Sequence, residues 1–133
     1  DARRIHGRDL RALELDPDHP GALHVLGVWN AEIMRLNRFE RFFARNLLGG
    51  KIFGTASWKD AVAYMERSVA VDPDRLTHHL DLGRIYVDVG DTAKARTQFE
   101  LVVRGRRTDV NDPQYKQEAA AALQKLGVEE RRS

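Results

Sequence analysis

The stretch from His79 to Phe99 restricts this chain to few folds. Leu82, Gly83 and Tyr86 follow His79 at helical spacing, Gly90-Asp91 interrupts the pattern, and Ala95 and Phe99 come four residues apart. Residues three and four apart share one side of a helix, so Leu82, Gly83 and Tyr86 form one face and Ala95 and Phe99 a second. A glycine at a crossing lets two helices approach closely, with a small residue opposite and a large ring one turn further on. The spacing therefore predicts two antiparallel helices joined by a tight turn. One such pair cannot cover its own apolar surface, so similar pairs are expected beside it.

The arrangement resembles the tetratricopeptide repeat, whose 34-residue pattern runs W-x2-L-G-x2-Y, A-x3-F and a closing Pro. Two positions depart from it: His79 stands at the Trp, and Arg107 falls at the closing Pro. An earlier copy is more degenerate. Leu23, Leu26, Gly27 and Asn30 take the places of His79, Leu82, Gly83 and Tyr86, with Trp29 one position early. Leu15-Asp16-Pro17 and Val71-Asp72-Pro73 both close a second helix, because proline cannot continue one and pushes the preceding residue to extended backbone. From Asp16 to Asp72 is 56 positions, 22 beyond one period. Trp58 to Val71 reads as the second helix of the middle repeat, with Ala61 at the small position and Met65 at the aromatic one. The first helix opens at Asp18-His19-Pro20 and ends near Leu36, so the surplus lies at about 37–57.

That surplus carries Phe39, Phe42, Phe43, Leu47 and Leu48 at steps of three and four, with Arg38, Glu40, Arg41 and Arg45 on other faces. The pattern predicts a short amphipathic helix ended by Gly49-Gly50, followed by an apolar return through Ile52 and Phe53. Ser57 then caps the next helix, with Asp60 at its third position. Asp74 is expected to cap a helix running to about Val89, and Thr92–Arg104 to complete the following repeat. After the basic linker Gly105-Arg106-Arg107-Thr108, Asp112-Pro113 opens a last helix with Ala119, Ala120, Leu123 and Leu126 inward. Gly127 is expected to end it and Glu129–Ser133 to fray.

The expected architecture is all-α: a single domain over 1–133, folded as a right-handed α-α superhelix, or solenoid, of tetratricopeptide type. Within it, 1–17 is the second helix of a truncated repeat and 18–73 a repeat with the insert. Residues 74–107 form a further repeat, and 111–127 a capping helix. The chain opens on Asp1-Ala2-Arg3-Arg4 inside a helical pattern, which reads as a piece of something longer, with any targeting segment outside it.

The order of these features, Leu26-Gly27-x-Trp29-x2-Glu32, the aromatic-basic insert ending Leu47-Leu48-Gly49, and a standard second helix to Asp72-Pro73, resembles the regulator of microtubule dynamics family. The last helix, introduced by Thr108-Asp109 and Asp112 and continuing through Glu118-Ala119, fits the same resemblance, which spans about Leu13 to Leu126. Similar uncharacterised tetratricopeptide proteins occur in bacteria. The resemblance implies helical-repeat adaptors, some associated with microtubules and one with organelle contacts and phospholipids. It carries over no catalytic or binding residue.

Composition removes several alternatives. A net charge of +2 with alternating signs gives no basic field for nucleic acid, although the isoelectric point is near 9.2. Zero cysteines exclude disulfides and thiolate metal sites, leaving cytoplasm and periplasm equally open. No apolar run approaches the ~18 residues of a membrane span. P-loop, dinucleotide, G-x-S-x-G and H-E-x-x-H motifs are missing, and His78-His79 diverge by about 100° on a helix with no third ligand nearby. No enzyme, cofactor or metal is expected.

In this repeat class the first helices line a concave groove, which places His24, Val28 and Glu32, then Thr77, Leu80, Arg84, Val87 and Asp88, against a peptide or partner helix. Only Arg84 could serve a carboxylate clamp. The reading is a non-catalytic protein-interaction module. A second reading, lipid or apolar small-molecule binding, rests on the insert's Phe39, Phe42, Phe43, Leu47, Leu48 and Phe53. A homodimer through the exposed N-terminal helix is a third.

Overall fold

The computed structural model describes residues 2–36, 40, 42, 46 and 54–132. Among them are six helices of at least 13 residues and no strand: α1 Ala2–Leu15, α2 Pro20–Arg35, α3 Trp58–Val71, α4 Leu76–Asp88, α5 Thr92–Arg104 and α6 Asp112–Arg132. They divide into two units, Asp1–Val71 and Asp72–Ser133.

In the first unit, α2 packs against both α1 and α3. Pro20 occupies the first turn of α2, where its missing N–H costs nothing, and the His19 imidazole caps the helix by accepting the Ala22 N–H at 3.0 Å. Leu23, Leu26 and Ala31 are buried on α2, as are Ala61, Met65 and Ser68 on α3. Gly27 is needed at the crossing: a Cβ there would come within 2.5 Å of Met65 Cγ and 3.3 Å of the Ala61 carbonyl oxygen. Ser68 Oγ donates to the Pro20 carbonyl at 3.2 Å, tying the end of α3 to the start of α2. On the other side, the His6 ring of α1 lies 4.3 Å from the Trp29 ring, tilted by 38°. Burial lowers the His6 pKa from its usual value, against the smaller raising pull of Asp9.

Leu36 leaves α2 in extended backbone, and the expected inserted helix falls largely outside the described residues. Glu40, Phe42 and Asn46 have helical backbone, and Asn46 Nδ2 donates to the Phe42 carbonyl at 2.8 Å. The chain re-enters at Ser57, whose Oγ accepts the Asp60 N–H at 3.0 Å, as the capping pattern predicts.

In the second unit, α5 packs against α4 and α6. The three-residue turn between α4 and α5 follows from Gly90, at φ 83°. The Asp91 N–H reaches the Tyr86 carbonyl at 2.9 Å and the Gly90 N–H reaches Val87 at 3.1 Å, a left-handed glycine cap that satisfies two orphan carbonyls. Asp91 then caps α5 by accepting the Lys94 N–H at 3.1 Å. A Cβ on Gly83 would approach Phe99 Cε1 to 2.6 Å, and Phe99 and Ala95 are both buried.

Three local expectations are corrected. The cap of α4 is Arg75, in extended backbone and making no side-chain cap bond, rather than Asp74. Gly127 does not end α6, and Glu129–Arg132 are helical. A mid-helix glycine costs about 1 kcal/mol, but Leu126 is buried beside it and Glu130 pairs with Arg96 of α5, so contacts on both sides carry the helix through. Ala120 of α6 is exposed, whereas Ala119 and Leu126 are buried as expected.

Candidate functional site

The positions expected to face a partner fall on α2 and α4. On α2, His24 and Val28 are half-buried, and Glu32 is exposed with its carboxylate 2.9 Å from Arg35. They recur every four residues and so share a face. On α4, Thr77 is half-buried, while Arg84, Val87 and Asp88 are exposed. Leu80 differs from its neighbours in being 1% exposed, so it belongs to the packing rather than to an open surface. Arg84 is already engaged: it reaches Asp81 at 3.3 Å and Glu118 of α6 at 3.1 Å. An acidic partner at Arg84 would compete with Glu118 for the guanidinium.

Of the apolar insert, Phe39, Phe43, Leu47, Leu48 and Phe53 lie outside the described residues, while Phe42 is 65% exposed. His78 and His79 are both buried but serve different partners. His79 Nδ1 sits 2.7 Å from Gln98 Oε1 and its Nε2 2.6 Å from the Pro73 carbonyl, so the imidazole links the segment before α4 to α5. His78 Nε2 lies 3.5 Å from Asp72.

Sequence periodicity missed a cavity of about 510 Å3 in the second unit. It is lined by Pro73, Asp74 and His79 together with Leu101 and Gly105 to Thr108. Its wall is held by three devices. Lys116 of α6 donates to the carbonyls of Val102, Val103 and Gly105, which neutralises the negative end of α5. Asp112, 1% exposed, accepts the Thr108 and Asp109 N–H groups at 2.7 and 2.9 Å. At Gly105 a Cβ would meet Leu76 Cδ2 at 2.4 Å and the Leu101 carbonyl oxygen at 2.8 Å, so the backbone passes close to both. The available sequence signal was the pair of departures from the repeat pattern, His79 and Arg107, which both line it.

Among the described residues, no group of three or more histidines and carboxylates is arranged to hold a metal ion, and no helix is long and apolar enough to cross a membrane.

Among the described residues these features define an all-helical architecture with two packed helix pairs, α2 with α3 and α4 with α5, each with a glycine at its crossing. A family model described as "Regulator of microtubule dynamics protein 1-3" matches residues 6–127, and the chain belongs to that family. No curated protein matches the chain.

Proposed function

We propose that the two helix pairs are tetratricopeptide-like repeats and that the protein is a non-catalytic interaction module. A peptide or partner helix would bind against the groove-facing positions of a first helix, α4. The observation that carries this reading is the face of α4, where the exposed Val87 stands beside the exposed charges of Arg84 and Asp88. Mixed apolar and charged helix faces of this kind suit helical or extended peptides. Family membership supports it in a general way, since the family's description names a regulatory role in microtubule dynamics rather than a reaction.

The test is capture of a partner by the full-length protein, followed by binding measurements with Val87→Asp and Arg84→Glu. Each should weaken the captured partner about tenfold without changing the far-ultraviolet spectrum. Leu80→Asp is unsuitable, because a charge at a buried position disrupts folding first. Unchanged binding in both surface variants would overturn the assignment. The exposed Phe42 keeps the lipid or apolar-ligand reading as a second possibility, which Phe42→Ser would test by loss of lipid recovered with the protein.

A further inference from the structure

The two positions at which the sequence breaks the repeat pattern are 28 residues apart, yet both line the cavity of the second unit. Where the pattern has a large indole, the smaller His79 ring lines the cavity. Where it has an inert proline, Arg107 supplies a charge. Arg106 stands beside it, and neither guanidinium has a hydrogen-bond or ion-pair partner among the described residues. Arg75, Arg84 and Lys94 in this unit each lie within ion-pair distance of a carboxylate, whereas Lys125, Arg131 and Arg132 do not among the described residues. Arg106 and Arg107 differ from those last three in lining the cavity. The cavity, about 510 Å3 and open to solvent, falls within the ~300–1,000 Å3 range of small-ligand clefts.

We propose that this cavity binds a short peptide segment in which a carboxylate lies next to an apolar side chain. Arg106 and Arg107 take the carboxylate through charge-assisted hydrogen bonds, and Pro73 and Leu101 receive the apolar group. Leu101 is 38% exposed, an apolar surface already offered to a ligand. Helix carbonyls at the end of α5 would otherwise repel an anion, and Lys116 covers three of them. Asp74 also lines the cavity. Its carboxylate repels any anion, but it accepts the backbone N–H groups that a peptide brings beside the peptide's own carboxylate. The site is distinct from the outward face of α4 and does not depend on that reading.

The experiment is a titration of the 15N-labelled full chain with an amidated peptide of alternating leucine and glutamate, with its leucine–glutamine isostere, and with inorganic phosphate. The expected result is saturable shifts at Leu101 and at Gly105 to Thr108 with the glutamate peptide. The isostere should bind at least about tenfold more weakly, and phosphate should not displace the peptide. Arg106→Gln and Arg107→Gln should each lose about tenfold, while Arg11→Gln, an exposed charge on α1, loses nothing. Both cavity arginines are exposed, so these variants should keep the amide spectrum of the folded chain. Equal binding of the isostere, shifts confined to other surfaces, or no saturable shift would overturn the proposal. Tighter binding of phosphate at the same amides would reassign the cavity to a phosphate ligand and overturn it as well.

Discussion

The two helix pairs, α2 with α3 and α4 with α5, solve the same packing problem with different materials. Each places a glycine of its first helix against a bulky side chain of its second, over an alanine that is 0% exposed. In the second unit the bulky partner is the flat ring of Phe99, and the connection is three residues closed by Gly90. In the first it is the flexible Met65, and the chain runs from Leu36 to Ser57 before the second helix begins. A short turn holds its helices in register by local hydrogen bonds. A long connection cannot, so the register must come from a contact made across it. Asn30 supplies one: buried at 3%, it donates to the Leu26 carbonyl at 2.8 Å and accepts the Ser57 N–H at 3.0 Å. The asparagine that looks like a degenerate aromatic position is a tether.

The comparison is tested most severely by truncating the bulky partners. Phe99→Ala should destabilise the second unit by about 4 kcal/mol and Met65→Ala the first by about 3 kcal/mol. Amide exchange resolved by unit, in increasing denaturant, would measure both; equal or reversed losses would break the ranking. Next come the glycines. Gly83→Ala forces the Phe99 ring aside, and Gly27→Ala meets Met65 at its Cγ, next to its Cβ, with the Ala61 carbonyl close by, so each should cost about 2 kcal/mol. Thermal melts of the pair check this: a much smaller loss for Gly27→Ala would show that side-chain stiffness sets the tolerance of the crossing.

A smaller effect should follow loss of the tether. Asn30→Ala leaves the Ser57 N–H without its acceptor and should cost about 1–2 kcal/mol. Faster exchange is expected at Ser57 and the first turn of α3, with none at the Gly90 turn. The smallest effect concerns pH. Because burial lowers the His6 pKa, the unfolded chain binds this proton more readily than the folded one. Stability should therefore fall as the pH drops below about 6.5, the ordinary histidine value, and level off below the folded pKa. Denaturation midpoints at several pH values should show a shallower slope for His6→Phe, which keeps a ring against Trp29.

Much of the fold is legible from short-range chemistry. Pro20, Gly90 and Asp91 act within a turn of their own positions. The start of α2 at Pro20, the turn at Gly90 after α4 and the start of α5 at Thr92 therefore follow from residue types alone. Met65 and Phe99 are readable as core by spacing. The end of α6 is not, because Gly127 signals a stop locally while Arg96, on another helix, holds Glu130 beyond it. Leu80 shows the same limit from the other side: periodicity places it among partner-facing residues, and packing buries it.

Periodicity and turn residues by themselves determined that the chain is helical, where its first helices meet their second ones, and which side chains fill the crossings. Those properties depend on neighbours within a few residues, and local sequence encodes them directly. Only the tertiary structure decided that Asn30 holds Ser57, that Lys116 closes the end of α5, and that His79 and Arg107 share one cavity. Such meetings join residues 11 to 28 positions apart. The path of the connection and the packing of whole helices bring them together, and no helical period records either.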